Sequence, residues 1–188
     1  MRRLIVFNHV SLDGYFVDAH SGMNFTQNDK KDPEWDAFVA GNASGGGMFV
    51  FGRITYEMMA GFWPTPAAIR SMPDVAATMN NNPKIVFSKT LKKADWHNTG
   101  LMKGDLLEEI RKLKAEEGIG MVIFGSGSIV SQLSQARLID EYQIIVNPVV
   151  LGKGRTMFEG MKENLPLELT GSRSFTNGKV LLRYIPVT

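Results

Sequence analysis

The 188-residue sequence predicts an α/β fold: a largely parallel sheet flanked by helices, finished by an antiparallel C-terminal hairpin. Three observations carry this. Short apolar, β-rich runs alternate with amphipathic stretches until about residue 140. Several of those runs end directly in glycine or turn residues, with a helical pattern behind them. Beyond that point strands dominate, and Asn177-Gly178 separates two of them as a hairpin turn does.

Leu4 to Val10 reads as a first strand covered on both faces, ended by Ser11-Leu12-Asp13-Gly14. Residues 18–33 are polar and aperiodic, a predicted loop. Asp32-Pro33-Glu34 starts a helix, since Asp caps and Pro fits a first turn. Trp35, Phe38 and Val39 form its apolar face, and Gly45-Gly46-Gly47 stops it. Met48 to Phe51 is a second strand, and Gly52-Arg53 leads into a short helix with Tyr56, Met59 and Ala60 on one side. Residues 61–83 hold Pro64, Pro66, Pro73, Pro83 and Asn80-Asn81-Asn82. They predict a loop-rich excursion with one short helix near Val75 to Met79. Ile85-Val86-Phe87 is a third strand and Thr99 to Met102 a further one. Leu106, Leu107, Ile110 and Leu113 make a helical stripe supported by Glu108 and Lys112, and Gly118 and Gly120 close it. Met121 to Phe124 is again a strand. Gly125-Ser126-Gly127-Ser128 turns it into a helix carrying Ile129, Val130 and Leu133. Tyr142 to Val146 follows, then Leu167–Phe175 and Lys179–Ile185 as the hairpin. With no repeat, linker or low-complexity stretch, residues 1–188 predict one domain.

Composition narrows the function. There is no Cys, which excludes a disulfide scaffold, a zinc knuckle, an iron–sulfur site and a thiol nucleophile. The 21 Lys+Arg nearly balance 19 Asp+Glu, so no charge argument favours nucleic acid or a membrane as partner. The three histidines show no metal-ligand spacing, and no metal is expected. The apolar opening runs into Asn8, His9 and Asp13 without a small-residue cleavage site, so a cytoplasmic location is the expectation.

Three strand ends carry the chemistry. In Phe124-Gly125-Ser126-Gly127-Ser128-Ile129, glycines permit close backbone approach and the helix start offers free N–H groups to an anion. Val130 stands where a full dinucleotide fingerprint has its third glycine, no Lys makes it a Walker A loop, and Gly-x-Ser-x-Gly is absent. Alone, this stretch fits an anion site and a plain tight turn equally. Gly52-Arg53-Ile54-Thr55 repeats the logic. Arg at a helix start is disfavoured by the macrodipole, which points to a ligand that rewards it. Ser88-Lys89 follows a third strand. Ligands of open α/β sheets sit beyond the carboxyl ends of strands, so the three together suggest an elongated ligand with more than one phosphate.

In order and spacing, these motifs make the chain similar to the dihydrofolate reductase-like superfamily, in the branch of the reductase domain of bacterial riboflavin biosynthesis. Ser11-Leu12-Asp13-Gly14, Gly52-Arg53-Ile54-Thr55-Tyr56-Glu57, Gly125-Ser126-Gly127-Ser128 and the late Pro148 to Gly154 stretch carry the resemblance. It implies a dihydrofolate reductase-like fold and an NADPH-dependent reductase of a small heterocyclic, pterin- or pyrimidine-like substrate. In that reading Arg53 and Thr55, beside Gly52, face the phosphates. Ser88 and Lys89 take the adenosine 2′-phosphate, with Lys103 a further candidate at that end. Phe124, Gly125, Ser126, Gly127, Ser128 and Ile129 take the pyrophosphate. Val10 and Ser11 border the nicotinamide, and Asp13 and Gly14 sit in the loop that closes over it. The resemblance also implies a homodimer, with the Val149 to Gly152 loop and the hairpin as candidate interface.

Hydride transfer also needs a proton source. Asp36 lies on the helix that supplies a carboxylate in dihydrofolate reductases, beside Trp35; it also fits a first-turn acid favoured by the macrodipole. Asp13 is the second candidate. Since neither acid is compelling, a nucleotide- or pterin-binding sensor or carrier without turnover is the alternative function.

Overall fold

The computed structural model describes residues 1–27 and 30–187, without the side chains of residues 43 and 44. Its element order is β1 (Leu4–Ser11), β2 (Tyr15–Asp18), α1 (Pro33–Ser44), β3 (Met48–Gly52), α2 (Arg53–Phe62), α3 (Pro66–Ser71) and α4 (Pro73–Asn81). There follow β4 (Lys84–Phe87), β5 (Thr99–Met102), α5 (Leu106–Ala115), β6 (Met121–Phe124), α6 (Gly127–Gln135) and β7 (Glu141–Asn147). The chain closes with β8 (Gly154–Thr156), β9 (Leu167–Ser174) and β10 (Val180–Pro186).

Eight strands form the main sheet in the order β5-β4-β3-β6-β1-β7-β10-β9. The pairs from β5 across to β7 are all parallel. β10 pairs antiparallel with β7 and with β9, the expected hairpin. Along β1 the side chains alternate between faces. Leu4, Val6 and Val10 pack with Ile110 of α5 and Ile129, Val130 and Leu133 of α6. Phe7 points the other way, to Trp35 and Phe38 of α1 and to Phe175. Phe49 and Phe51 of β3 pack with Tyr56 of α2 and Met79 of α4.

The helix starts follow local chemistry. Asp32 Oδ1 accepts from the N–H groups of Glu34 and Trp35 at 3.0 and 3.1 Å. Asp105 does the same for Leu107 and Glu108 at 2.9 and 3.0 Å.

Two sequence expectations are corrected. Residues 61–83 contain two helices rather than one, because Pro66 and Pro73 each stand at a first helical position instead of breaking a helix. The polar segment 18–33 is entered through β2, which pairs antiparallel with β8 in a separate ribbon, and it holds a 3-10 turn at Asn24–Thr26. Positions 28 and 29 of that segment lie outside the described residues. Strands of four and three residues are too short to show a period, so neither was legible. Among the described residues no helix is long and apolar enough to cross a membrane.

Candidate functional site

β4, β3 and β6 are neighbours and run parallel, so their carboxyl ends open on the same edge of the sheet. Ser88 and Lys89, Gly52 to Thr55, and Gly125 to Ile129 therefore line one cavity of about 400 Å³. That lies within the range of roughly 300–1,000 Å³ typical of small-molecule sites. Phe16 and Val17 of β2, Met102, Leu106 and Arg155 of β8 complete the wall.

The two glycine turns are tied to each other. Gly125 and Ser126 both adopt left-handed backbone, with φ of 59° and 61°. At a non-glycine residue this conformation costs about 1 kcal/mol and persists only where surroundings enforce it. Here Ser126 Oγ accepts from the Gly52 N–H at 2.8 Å and donates to Thr55 Oγ1 at 2.9 Å. Asn8, buried in β1, holds the other side: its Oδ1 accepts from the Gly125 N–H at 2.6 Å. A Cβ on Gly125 would come within 3.0 Å of Thr55, and one on Gly52 within 3.0 Å of Ser126 Oγ. The glycines thus admit the neighbouring turn. The hydroxyls of Thr55 and Ser126 are committed to each other and serve as braces. What remains for an anion is the start of α6, where Gly127 and Ser128 carry N–H groups without an intrahelical acceptor.

Three cations border this cradle. Arg53 pairs with Glu57 at 2.8 Å one turn along α2, and both side chains are more than two-fifths exposed. That pair offsets the unfavourable Arg at the helix start and can open towards a ligand at little cost. Lys89 and Arg155 make no ion pair among the described residues. Ser88 Oγ accepts from the N–H groups of Leu91 and Thr90 at 2.9 and 3.2 Å, closing the turn that presents Lys89. Asp105 is the acid on the wall, occupied as the cap of α5.

Other expected residues lie outside the cavity lining. Val10 and Ser11 are buried at the end of β1. Phe124 sits on the opposite face, its ring 5.2 Å from Phe49 and 5.9 Å from Phe7. Asp13 and Gly14 form an exposed tight turn. Asp13 clasps the loop after β7, accepting from Leu151 N–H at 3.1 Å and Gly152 N–H at 2.7 Å. The Ser11 hydroxyl and these two amides hold its pKa down at about 2. So placed, it is ionised at neutral pH and has no proton to give. Asp36 is exposed on the first turn of α1. Trp35 gives it no cover, because that ring packs instead against His9, Phe38 and Phe175. Lys103 is exposed and does not line the cavity.

Sequence reasoning missed Asn8 and Arg155. A polar residue inside Val6-Phe7-Asn8-His9-Val10 is a signal that could have found the first; Arg155 carries none. It also missed a polar cluster on the α1 face. Lys179 is 2% exposed and donates to Thr26 O at 2.7 Å and Asn147 Oδ1 at 2.8 Å, with its ammonium 5.2 Å from the Trp35 ring. Burial lowers its pKa. His9, wedged edge-on between Phe7 and Trp35, lies beside it. Burial and the Lys179 charge bring the imidazole down to about 4. Asp32 links the same corner to the hairpin turn, accepting from the Asn177 N–H at 3.0 Å.

Residues 2–181 match the family model described as the RibD C-terminal domain. The chain is 25% identical over 183 residues to the uncharacterized protein YyaP of Bacillus subtilis strain 168, covering 97% of this chain and 94% of that one. Among solved structures it is similar to a Shewanella sp. PV-4 protein named for riboflavin biosynthesis, with TM-score 0.74, 22% identity and 99% of each chain covered. It is also similar to a dihydrofolate reductase of Enterococcus faecalis complexed with NADP(H). There the TM-score is 0.63 and the identity 15%, over 99% of this chain and 97% of that one.

Proposed function

The chain belongs to the RibD C-terminal domain family and has the dihydrofolate reductase-like fold, and we propose that it is an NADPH-dependent reductase of a small planar heterocycle, pterin- or pyrimidine-like. One observation carries the cofactor reading. Three adjacent strand ends place Arg53, Lys89 and the free N–H groups that open α6 around one cavity, with Arg155 facing them from β8. This donor set fits a dinucleotide with an additional phosphate: backbone N–H groups and arginines suit the pyrophosphate, and exposed Lys89 suits the terminal 2′-phosphate.

NADPH, when bound, supplies the hydride. The chain's own residues do the rest. Asn8, Ser126 and Thr55 keep the cradle rigid before anything binds, which lowers the ordering cost of binding. Phe16 and Val17 cover one side and keep water out. Val10 and Ser11, at the end of the central strand, border the reacting ring. Asp36 is the expected carboxylate still free to relay a proton from water, since Asp13 is tied down.

Calorimetric titration with NADPH and NADH tests this. NADPH is expected to bind at least about tenfold more tightly, and Lys89→Ala to erase most of that difference, as loss of roughly 1.4 kcal/mol would. Failure of both nucleotides to bind overturns the reading; equal binding of both removes the role of Lys89.

That neither expected acid lines the cavity favours a second reading, a nucleotide or pterin carrier without turnover. Steady NADPH oxidation with any member of a pterin, flavin and quinone panel, lost in Asp36→Asn, excludes it. A cofactor that binds and is never oxidised supports it.

A further inference from the structure

The main sheet ends differently on its two sides. β5, at one edge, has four residues, and three of them are half-buried. β9, at the other, has eight, and seven are exposed. It pairs with β10 on one side and, among the described residues, with no strand on the other. So long a row of unpaired N–H and C=O groups is a template for another strand. Natural edges are blunted by shortness, as β5 is, or by charge. β9 carries two charges, Glu168 and Arg173.

These charges are opposite in sign, and a bulge decides which face they take. Side chains of a regular strand alternate, so residues five apart lie on opposite faces. The register of β9 on β10 shifts between Arg183 and Tyr184, which leaves Thr170 as one extra residue. Arg173 therefore lies opposite Leu181, and Glu168 opposite Ile185. Leu181 and Ile185 are four apart on β10, so both charged residues share the α1 face. Leu181 packs there with Phe175, Trp35 and Phe38. Arg173 is held on it as well, 3.3 Å from Glu34 of α1 and 4.9 Å over the Phe175 ring. Leu167 and Leu169, 37% and 51% exposed, take the other face.

The strand is thereby complementary to itself. A second copy can add its β9 antiparallel, about a two-fold axis that crosses the sheet between Thr170 and Gly171. Glu168 then faces the partner's Arg173, and Leu169 faces the partner's Ser172. Symmetry makes the Glu168–Arg173 pair twice. Residues directly opposite each other share a face, and for these two only the bulge provides that. Registers that set Glu168 on Glu168, or Arg173 on Arg173, bring like charges together and are disfavoured. The charges that guard this edge against other strands admit one register of the same strand.

We propose that the β9 edge is a self-association surface, on which two copies of this chain pair their β9 strands antiparallel in this register and join two eight-stranded sheets into one. The contact is one strand wide, at the low end of interface sizes, so the dimer forms reversibly with concentration. It does not depend on the cofactor reading.

Sedimentation equilibrium of the full chain across the micromolar range tests this. The wild type is expected to shift from monomer to dimer with concentration. Glu168→Arg sets two like-charge pairs where two ion pairs stood, and is expected to weaken the dimer about tenfold or more. Position 168 is exposed, so the substitution leaves the core of the monomer intact. The absence of Cys makes the register itself readable. Glu168→Cys combined with Arg173→Cys is expected to yield a disulfide-linked dimer on mild oxidation, because opposite Cβ atoms come within bridging reach. Neither single variant is expected to link, since like positions then stand five residues, about 16 Å, apart. A wild type that stays monomeric throughout overturns the proposal. So does a dimer that Glu168→Arg leaves unchanged. A double-cysteine chain that does not link, or a single-cysteine chain that links as fast, overturns it too.

Discussion

The cavity at the strand ends and the polar cluster on the α1 face are built in opposite ways. The cavity is assembled from short contiguous motifs: Gly52-Arg53, Ser88-Lys89 and Gly125 to Ile129. Its charges are exposed, and the ties of Arg53 to Glu57 and of Ser88 to Leu91 are local. The cluster draws on Thr26, Trp35, Asn147 and Lys179 around His9, scattered over most of the chain, and its buried cation makes no ion pair among the described residues. The contrast teaches where each kind of residue spends its free energy. Exposed Arg53 and Lys89 lose little on folding and are available to a ligand. Lys179 is desolvated and held by neutral acceptors, so its effect is on orientation and on the charge state of its neighbour.

Removing the buried cation gives the largest expected change. Lys179→Met strands Thr26 O and Asn147 Oδ1, and should lower unfolding free energy by about 3 kcal/mol, as two abandoned buried acceptors do. Urea denaturation measures it. A loss no larger than that of Arg53→Ala would erase the contrast.

Next comes pH. The His9 pKa is about 4 in the fold against 6.5 for the free side chain. Between those values the unfolded chain binds more protons, so stability rises with pH through this window and is complete above about 6.5. The rise from this group should reach at most about 3 kcal/mol. His9→Phe should flatten it; an unchanged slope in thermal unfolding from pH 4 to 6.5 would mean that other groups set it.

Arg53→Ala should behave conversely. Its exposed pair with Glu57 contributes roughly 0.2–1 kcal/mol at most to stability. NADPH affinity should nevertheless fall about tenfold, as for a lost charge-assisted contact. Unchanged affinity by calorimetry would detach Arg53 from the cofactor. Smallest is Asp13→Asn. It should speed hydrogen exchange at the Leu151 and Gly152 amides and leave unfolding nearly unchanged, since the clasp is exposed. Exchange at wild-type rates would show that the loop holds without it.

Strand and helix positions were mostly legible, because hydrophobic period and glycine punctuation are local. Asp32-Pro33 and Asn177-Gly178 each announce their element within a few residues. The tracts that failed, β2, β8 and the split of residues 66–81 into two helices, are short or proline-studded, and tertiary pairing decides them. The same divide runs through the site. The three strand ends could be found by motif, but the roles of Thr55 and Ser126 could not. Whether a hydroxyl faces a ligand or a neighbouring turn depends on how close two strands bring it.

By itself, then, the sequence determined a parallel α/β chain without thiol chemistry, with glycine turns and cations at three strand ends. Those properties follow from residue type and spacing along one chain direction. Only the tertiary structure decided that β4, β3 and β6 are neighbours and that Asn8 and Ser126 brace the cradle. It alone decided that Asp13 is spent on a loop, and that a lysine 170 residues from His9 in sequence lies beside its ring and opposes its protonation. Hydrogen bonds and burial act over a few ångströms whatever the separation in sequence, and that distance exists only once the chain has folded.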